Sequence, residues 1–373
     1  MERLEYARAI YGDPEKQAVR RSLDSGWLSG GPETLAFERE FAQVMKNRFA
    51  LSVNSGSSAD IVALQALGLP RGSEVITPAG AAFPTTIAPM VYLGLRPVFV
   101  DVDGLLLDLK EVEKAIGPDT KAIMFAHTLG QMPDMAILTK IARDNGLRVV
   151  EDVCDAVGST QNGKLAGTFG DMATVSLYPA HHITTGEGGM VLTNNPKLFR
   201  EAGSIRDWGR DCTCTPEVRG CMNRFGNPPF DHRYYYTRIG GNFKMNEMTA
   251  AFGREQLKRL EGFIELRRRN YRILAEELHE PYNPEISPFA YPIFSRHKMR
   301  DMEFLNEQGI DTRTLFAGNI LRHPAFKDID CRVVGDLSGS DKVLNEAYFV
   351  GVGPHLTPSN MLYIADKIKQ CSR

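Results

Sequence analysis

Ser176-Leu177-Tyr178-Pro179-Ala180-His181-His182-Ile183-Thr184-Thr185-Gly186-Glu187-Gly188-Gly189 is the stretch around which the rest of the chain reads. It opens as a short β-type run and closes in a glycine-rich turn, with two adjacent histidines between. Histidine is the side chain whose proton moves most readily at neutral pH. Glycine lets a backbone approach a ligand closely. The pattern sets a base over a tight loop; a surface turn carrying two polar residues is the plain alternative.

Outward from this stretch the sequence alternates strands and helices. Glu74–Thr77, Arg96–Asp101, Ala122–Ala126 and Leu147–Glu151 are near-continuous apolar strands, and helical patterns separate several of them. Such a rhythm implies an α/β fold with a mostly parallel central sheet covered on both faces. Ligands in such sheets sit at the carboxyl ends of strands. Ala50–Ala59 reads as a strand followed by a Ser/Gly turn, with Ile61, Val62, Leu64 and Leu67 continuing at helical spacing. Backbone N–H groups at that helix start suit a phosphate, although Ser and Gly also make ordinary caps. Residues 14–24 read as a short helix, and Phe37, Phe41, Val44 and Met45 as one apolar helix face. From Phe263 to about Leu278 a long charged helix begins a different texture, followed by Pro281, Pro284 and Pro288 and then short elements. The expected division is a large domain over 1–261, with an N-terminal arm, and a smaller C-terminal α+β domain over 262–373.

Bulk properties exclude several classes. The net charge of −2 leaves no electrostatic footprint for nucleic acid. No apolar run is long enough to span a membrane, and the start has no apolar core like that of a signal peptide. A cytoplasmic, reducing location is the expectation, where cysteines serve more often as metal ligands or catalysts than as disulfides.

Six cysteines are present. Cys212, Cys214 and Cys221 crowd into ten residues, and 57 residues separate Cys154 from the first of them. Four thiolates suit a [2Fe–2S] cluster, a structural zinc ion is a second reading, and unrelated thiols a third. Cys331 and Cys371 stand apart. Cys154 sits in Glu151-Asp152-Val153-Cys154-Asp155-Ala156, which closes the fourth apolar strand. A strand-end aspartate there either caps the next turn or faces a ligand.

These motifs together resemble the DegT/DnrJ/EryC1/StrS sugar aminotransferases, and the resemblance covers nearly the whole chain. It implies the type I aspartate-aminotransferase fold and pyridoxal or pyridoxamine phosphate as cofactor. In that family a lysine precedes the Ile-Thr-Thr-Gly-Glu-Gly-Gly run and holds pyridoxal phosphate covalently; His181 takes its place here. By the same resemblance Asp152 pairs with the pyridine nitrogen, Phe83 stacks on the ring, and Gly56, Ser57 and Ser176 hold the phosphate. Asn242 would reach the phosphate of a neighbouring subunit, which implies a homodimer with shared active sites. Asp155 and Tyr178 replace two histidines usual in the family. Those departures resemble one branch, the iron–sulfur CDP-4-keto-6-deoxyglucose-3-dehydrase and its relatives. The branch spaces four cluster cysteines by 57, one and seven residues; Cys154, Cys212, Cys214 and Cys221 are spaced by 57, one and six. The resemblance implies 3-dehydration of a nucleotide-linked 4-keto-6-deoxyhexose with His181 as base. Electrons would come from an NAD(P)H-dependent flavin/iron–sulfur reductase through the cluster. His182 and Phe316 are further substrate-pocket positions on this reading. A cluster-free dehydratase fed by glutamate and a sugar aminotransferase are the alternatives.

Overall fold

The computed structural model describes residues 3–81, 83–212, 214 and 224–371. Its core is an eight-stranded sheet in the order Phe49–Val53, Gly189–Thr193, Met172–Ser176, Arg148–Asp152, Thr120–Ala126, Glu74–Pro78, Arg96–Val100, Arg332–Val333. All neighbours run parallel except Gly189–Thr193, which is antiparallel to both of its partners. The reason is local: the quoted histidine stretch returns the chain from Ser176 to Gly189 directly, and these two residues face each other in register. The connection forms no crossover helix, so the chain turns back on itself and the two strands pair antiparallel. The sheet is covered on both faces, and its strands are apolar along their length for that reason.

The four strands expected from the sequence form within one or two residues of their expected bounds. Helix Asp13–Asp24 and helix Leu260–Leu278 also form; the latter begins three residues before Phe263 and ends at His279, whose φ of 58° is left-handed. Phe37, Phe41 and Met45 are buried, but Val44 is not: it is the last residue of helix Pro32–Val44 and stands 43% exposed.

Beyond residue 262 a second sheet of three antiparallel strands forms, in the order Ala290–Phe294, Ala347–Gly351, Thr312–Thr314. It packs with Tyr271, Leu274 and Ile364 into a separate apolar cluster. The C-terminal part is not confined to that layer, because Arg332–Val333 extends the large sheet beside Arg96–Val100. The N-terminal arm crosses to it as well: Leu4 bridges Ile310, and Arg3 pairs with Asp311 at 3.0 Å. No helix among the described residues is long and apolar enough to cross a membrane.

Candidate active site

Parallel strands put their carboxyl ends on one edge, and there lies a pocket of about 420 Å³. Its lining includes Gly56, Ser57, Phe83, Asp152, Cys154, Asp155, Ser176, Tyr178, His181 and Phe316, all singled out from the sequence. Registers explain the gathering. Asp152 ends its strand opposite Ala126 and Thr174, two residues before Ser176 ends the next. Side chains alternate along a strand, so Glu151 and Asp152 face opposite ways. Glu151 is wholly buried, where it accepts hydrogen bonds from the N–H groups of Gly167, Phe169 and Gly170 and meets His127 Nε2 at 2.9 Å. Burial alone would raise its pKa, but those bonds hold it below the ordinary value. Asp152 faces the pocket and accepts from Thr86 Oγ1 at 2.7 Å and Cys154 N–H at 3.1 Å.

The phosphate-type turn is built by close approach. Ser55 caps helix Gly56–Ala66 by accepting from Ser58 N–H. A Cβ on Gly56 would lie 2.6 Å from Ser176 Cβ, and one on Gly189 would lie 2.4 Å from the Ser55 carbonyl oxygen. Real Cβ atoms do not approach so closely, so both positions need glycine for space. The result is a helix N-terminus beside a strand-end hydroxyl.

His181 lines the pocket and is largely buried. Burial first, and then the nearby Arg267 cation, lower its pKa to about 4, so the imidazole is neutral at pH 7. Its Nδ1 lies 3.6 Å from Asp155 Oδ1. Asp155 is pushed up to about 7 chiefly by burial, with Asp152 adding repulsion and Leu129 N–H and Arg267 opposing. Asp60, on the pocket wall, is raised by burial and by Asp152, although Thr174 Oγ1 donates to it at 2.6 Å. The Cys154 thiol is raised well above its ordinary value by burial, and further by Asp152, and so stays protonated.

An aromatic chain closes the other side. Phe83 meets Phe316 edge-on at 5.8 Å, Phe316 meets Phe289 at 6.3 Å, and Phe289 meets His181 at 5.4 Å. Phe316 holds a φ of 43°, a left-handed backbone that is costly for so bulky a residue.

The other positions singled out from the sequence lie elsewhere. His182 is buried away from this pocket, its Nε2 3.2 Å from the Ser287 carbonyl oxygen. Asn242 is exposed and pairs with Asp207 in an isolated bridge. Cys212 and Cys214 line a second pocket of about 440 Å³ beside Trp208. Cys221 lies outside the described residues. Cys331 and Cys371 pack at the edges of two other apolar clusters.

Sequence reasoning missed Asp60, Thr86, Glu187, Phe289 and Arg267. Arg267 matters most: buried in helix Leu260–Leu278, it donates to the carbonyl oxygens of His181 at 3.0 Å, Ala180 at 3.3 Å and Phe289 at 2.8 Å. It thereby ties the histidine turn to the C-terminal part. Its signal was present, because Phe263, Arg267, Tyr271 and Leu274 recur at core-facing spacing and an arginine there needs partners.

Residues 10–369 match the DegT/DnrJ/EryC1/StrS aminotransferase family. The lipopolysaccharide biosynthesis protein RfbH of Salmonella typhimurium is 41% identical over 97% of this chain and 90% of its own length. The dTDP-4-dehydro-2,6-dideoxy-D-glucose 3-dehydratase of Saccharopolyspora spinosa is 42% identical over 97% of this chain and 85% of its own. Among solved structures, the GDP-4-keto-6-deoxy-D-mannose-3-dehydratase of E. coli with bound hydrated PLP superposes with a TM-score of 0.90 at 29% identity, covering 99% of this chain and 100% of that one.

Proposed function

The chain belongs to the DegT/DnrJ/EryC1/StrS aminotransferase family, and within it we propose that it removes the C-3 hydroxyl of a nucleotide-linked 4-keto-6-deoxyhexose as a cytoplasmic, pyridoxamine-phosphate-dependent 3-dehydratase. One observation carries the reading: the pocket presents His181, and no lysine is among the described residues that line it. An imidazole moves protons but does not anchor an aldehyde cofactor covalently.

The residues present fit the cofactor. Asp152 would pair with the ring nitrogen, Phe83 would stack on the ring, and Gly56, Ser57 and Ser176 would hold the phosphate, in a cradle that a Cβ at Gly56 would fill. Asn242, exposed on its own protomer, would complete the phosphate site of a second subunit in a homodimer. When bound, pyridoxamine phosphate supplies an electron sink.

His181 does the proton work. Neutral at pH 7, it is ready to accept a proton from carbon, and it is the lining group able to return one to a departing hydroxyl. Asp155 beside it stabilises the imidazolium once it forms; as an anion 3.6 Å away it raises the affinity of His181 for that proton. Arg267 fixes the backbone of the turn, which limits drift of the imidazole. Tyr178, Phe316 and Phe289 shape the pocket and exclude water on one side.

The reduction that completes deoxygenation needs two electrons from outside. We assign them to an NAD(P)H-dependent flavin/iron–sulfur reductase and to a [2Fe–2S] centre on the cysteines, which supplies single electrons when loaded. Support for the centre is the spacing of Cys154, Cys212, Cys214 and Cys221 and the meeting of two of them at one pocket. The second reading, an amine supplied by glutamate without a cluster, is favoured by the likeness to a GDP-4-keto-6-deoxymannose-3-dehydratase solved with a trapped PLP-glutamate geminal diamine, at a TM-score of 0.89 and 28% identity. The test is turnover of CDP-, dTDP- and GDP-linked 4-keto-6-deoxyhexoses with pyridoxamine phosphate. Turnover that requires a reductant and ignores glutamate supports the leading reading. Turnover on glutamate alone supports the second.

A further inference from the structure

One residue lining the strand-end pocket comes from outside the large sheet and has no part in the proton chemistry at His181. It is Tyr6, on the N-terminal arm. The arm is seated by its backbone. Leu4 N–H donates to the Gly309 carbonyl oxygen at 2.8 Å, Asp311 N–H donates to the Leu4 carbonyl oxygen at 2.9 Å, and Tyr6 N–H donates to Asp311 Oδ2 at 3.4 Å. The seat is close. A Cβ on Gly351, at the end of strand Ala347–Gly351, would lie 2.4 Å from the Tyr6 carbonyl oxygen, so only glycine leaves the arm room there.

The side chain is held as firmly as the backbone. Its ring meets Phe349 edge-on at 5.8 Å, and the Arg313 guanidinium lies 4.6 Å from the ring centroid. Tyr6 packs with Phe316 against the apolar cluster that contains Ala180, Phe289 and Phe349. The hydroxyl is the exception, because it makes no hydrogen bond among the described residues. Burial raises its pKa, Arg313 opposes, and Tyr178 and Asp155 on the pocket wall add to the rise. It therefore stays a phenol at neutral pH, able both to donate and to accept. A phenol whose apolar body is packed and whose polar tip opens on a pocket is placed to meet a polar group there. Its fixed ring loses little freedom when that group arrives.

The position selects the group. Gly56, Ser57, Asp152 and Ser176, which fit the cofactor, lie at strand ends and at the helix start beside them. Tyr6 stands apart from them on the C-terminal side, within electrostatic reach of Asp155, the neighbour of His181. The reacting carbons of the sugar must lie beside His181, so the hexose, not the nucleotide, comes to this hydroxyl. We propose that Tyr6 is a substrate-binding residue whose hydroxyl hydrogen-bonds a hydroxyl of the hexose ring, and that the N-terminal arm is thereby part of the active site. The inference rests on the reading that this pocket takes a nucleotide-linked 4-keto-6-deoxyhexose, and it names a group that holds the sugar.

The experiment uses full-length protein loaded with pyridoxamine phosphate, a reductant, and the CDP-, dTDP- or GDP-linked 4-keto-6-deoxyhexose that wild type turns over best. Tyr6→Phe deletes the hydroxyl and keeps the ring against Phe349 and Arg313. It should raise KM for the sugar about three- to tenfold, the worth of one neutral hydrogen bond, with kcat unchanged. Its affinity for pyridoxamine phosphate and its Tm should match wild type, which a merely structural role for the hydroxyl would not allow. A wild-type KM in Tyr6→Phe would overturn the inference and leave the dehydratase reading standing. So would a rise in KM matched by an equal loss of cofactor affinity, since the hydroxyl would then serve the fold or the cofactor. A wild type that turns over none of the three sugars would remove the reading of the pocket, and this inference with it.

Discussion

Two large pockets among the described residues are similar in volume and opposite in charge. The one at the strand ends is walled by Asp60, Asp152, Asp155 and Glu187, with no arginine or lysine among its described lining residues. The one beside Trp208 is walled by Arg200, Arg206, Arg210, Arg238 and Lys244 against Glu38, Asp207 and Asp211. Burial has opposite consequences in the two. In the first it pushes carboxyls up, Asp155 to about 7, so that protons are held near neutrality and can be exchanged. In the second it lowers Lys244 to about 8 despite Asp207, and the ammonium lies 3.2 Å over the Trp208 ring. An acidic pocket suits a cationic ring and a base that cycles its proton. A basic pocket suits thiolates and the electrons they relay. On the proposed function, proton chemistry falls to the first pocket and electron chemistry to the second.

The largest expected effect falls on the acidic pocket. His181→Asn should lower the rate of hydrogen exchange at the cofactor methylene by about 10²–10⁴-fold, read by loss of label to solvent. Exchange at the wild-type rate would remove His181 as base. Next, Asp152→Asn should weaken binding of pyridoxamine phosphate roughly 30-fold, the equivalent of about 2 kcal/mol for one charge-assisted bond, read by absorbance titration. An unchanged affinity would mean that the cation is held elsewhere.

Stability against pH gives a subtler contrast. Folded Asp155 keeps its proton up to about 7, whereas an unfolded aspartate loses it near 3.9. The native state therefore binds more protons in that window, and this group costs stability as pH rises through it. His181 has the opposite sign: it titrates at about 4 when folded and near 6.5 when unfolded, so it costs stability as pH falls from about 6.5 to 4. In melts of cofactor-free protein, Asp155→Asn should gain on wild type by roughly 1–3 kcal/mol between pH 4 and 7, and His181→Asn should gain toward low pH. Parallel curves for all three proteins would show that the pair is not buried as described. The smallest effect is at the border of the two regions. Asn242→Ala should weaken cofactor binding about tenfold, one hydrogen bond to a charged phosphate of about 1.5 kcal/mol. An Asn242→Ala/His181→Asn mixed dimer with one intact site would confirm that the loop serves the partner.

How far the sequence could be read differs between the same two regions. Asp152, Ser176 and Gly56 were legible because each sits at the end of an apolar strand or the start of the helix after it, and a parallel sheet brings such ends together. His181 was legible from the glycine run behind it. Its neighbour His182 was not: adjacent residues diverge in direction, and only the fold sends one into the pocket and the other against Ser287. Asp60 and Thr86 act through contacts with Thr174 and Asp152 across the sheet, which no local pattern encodes. Cys212 and Cys214 lie outside any helix or strand, so spacing along the sequence does not translate into distance. Spacing groups four cysteines; the fold lines Cys154 on the acidic pocket and Cys212 and Cys214 on the other, and Cys221 lies outside the described residues.

Product analysis tests the central claim most directly. Purified protein would be incubated with pyridoxamine phosphate, a nucleotide-linked 4-keto-6-deoxyhexose and a chemical reductant, and the sugar followed by mass and NMR. The expected product has lost the oxygen at carbon 3 and retains its keto group at carbon 4. A 4-amino sugar with the C-3 hydroxyl intact would contradict it, and would return the chain to the transaminating members of its family.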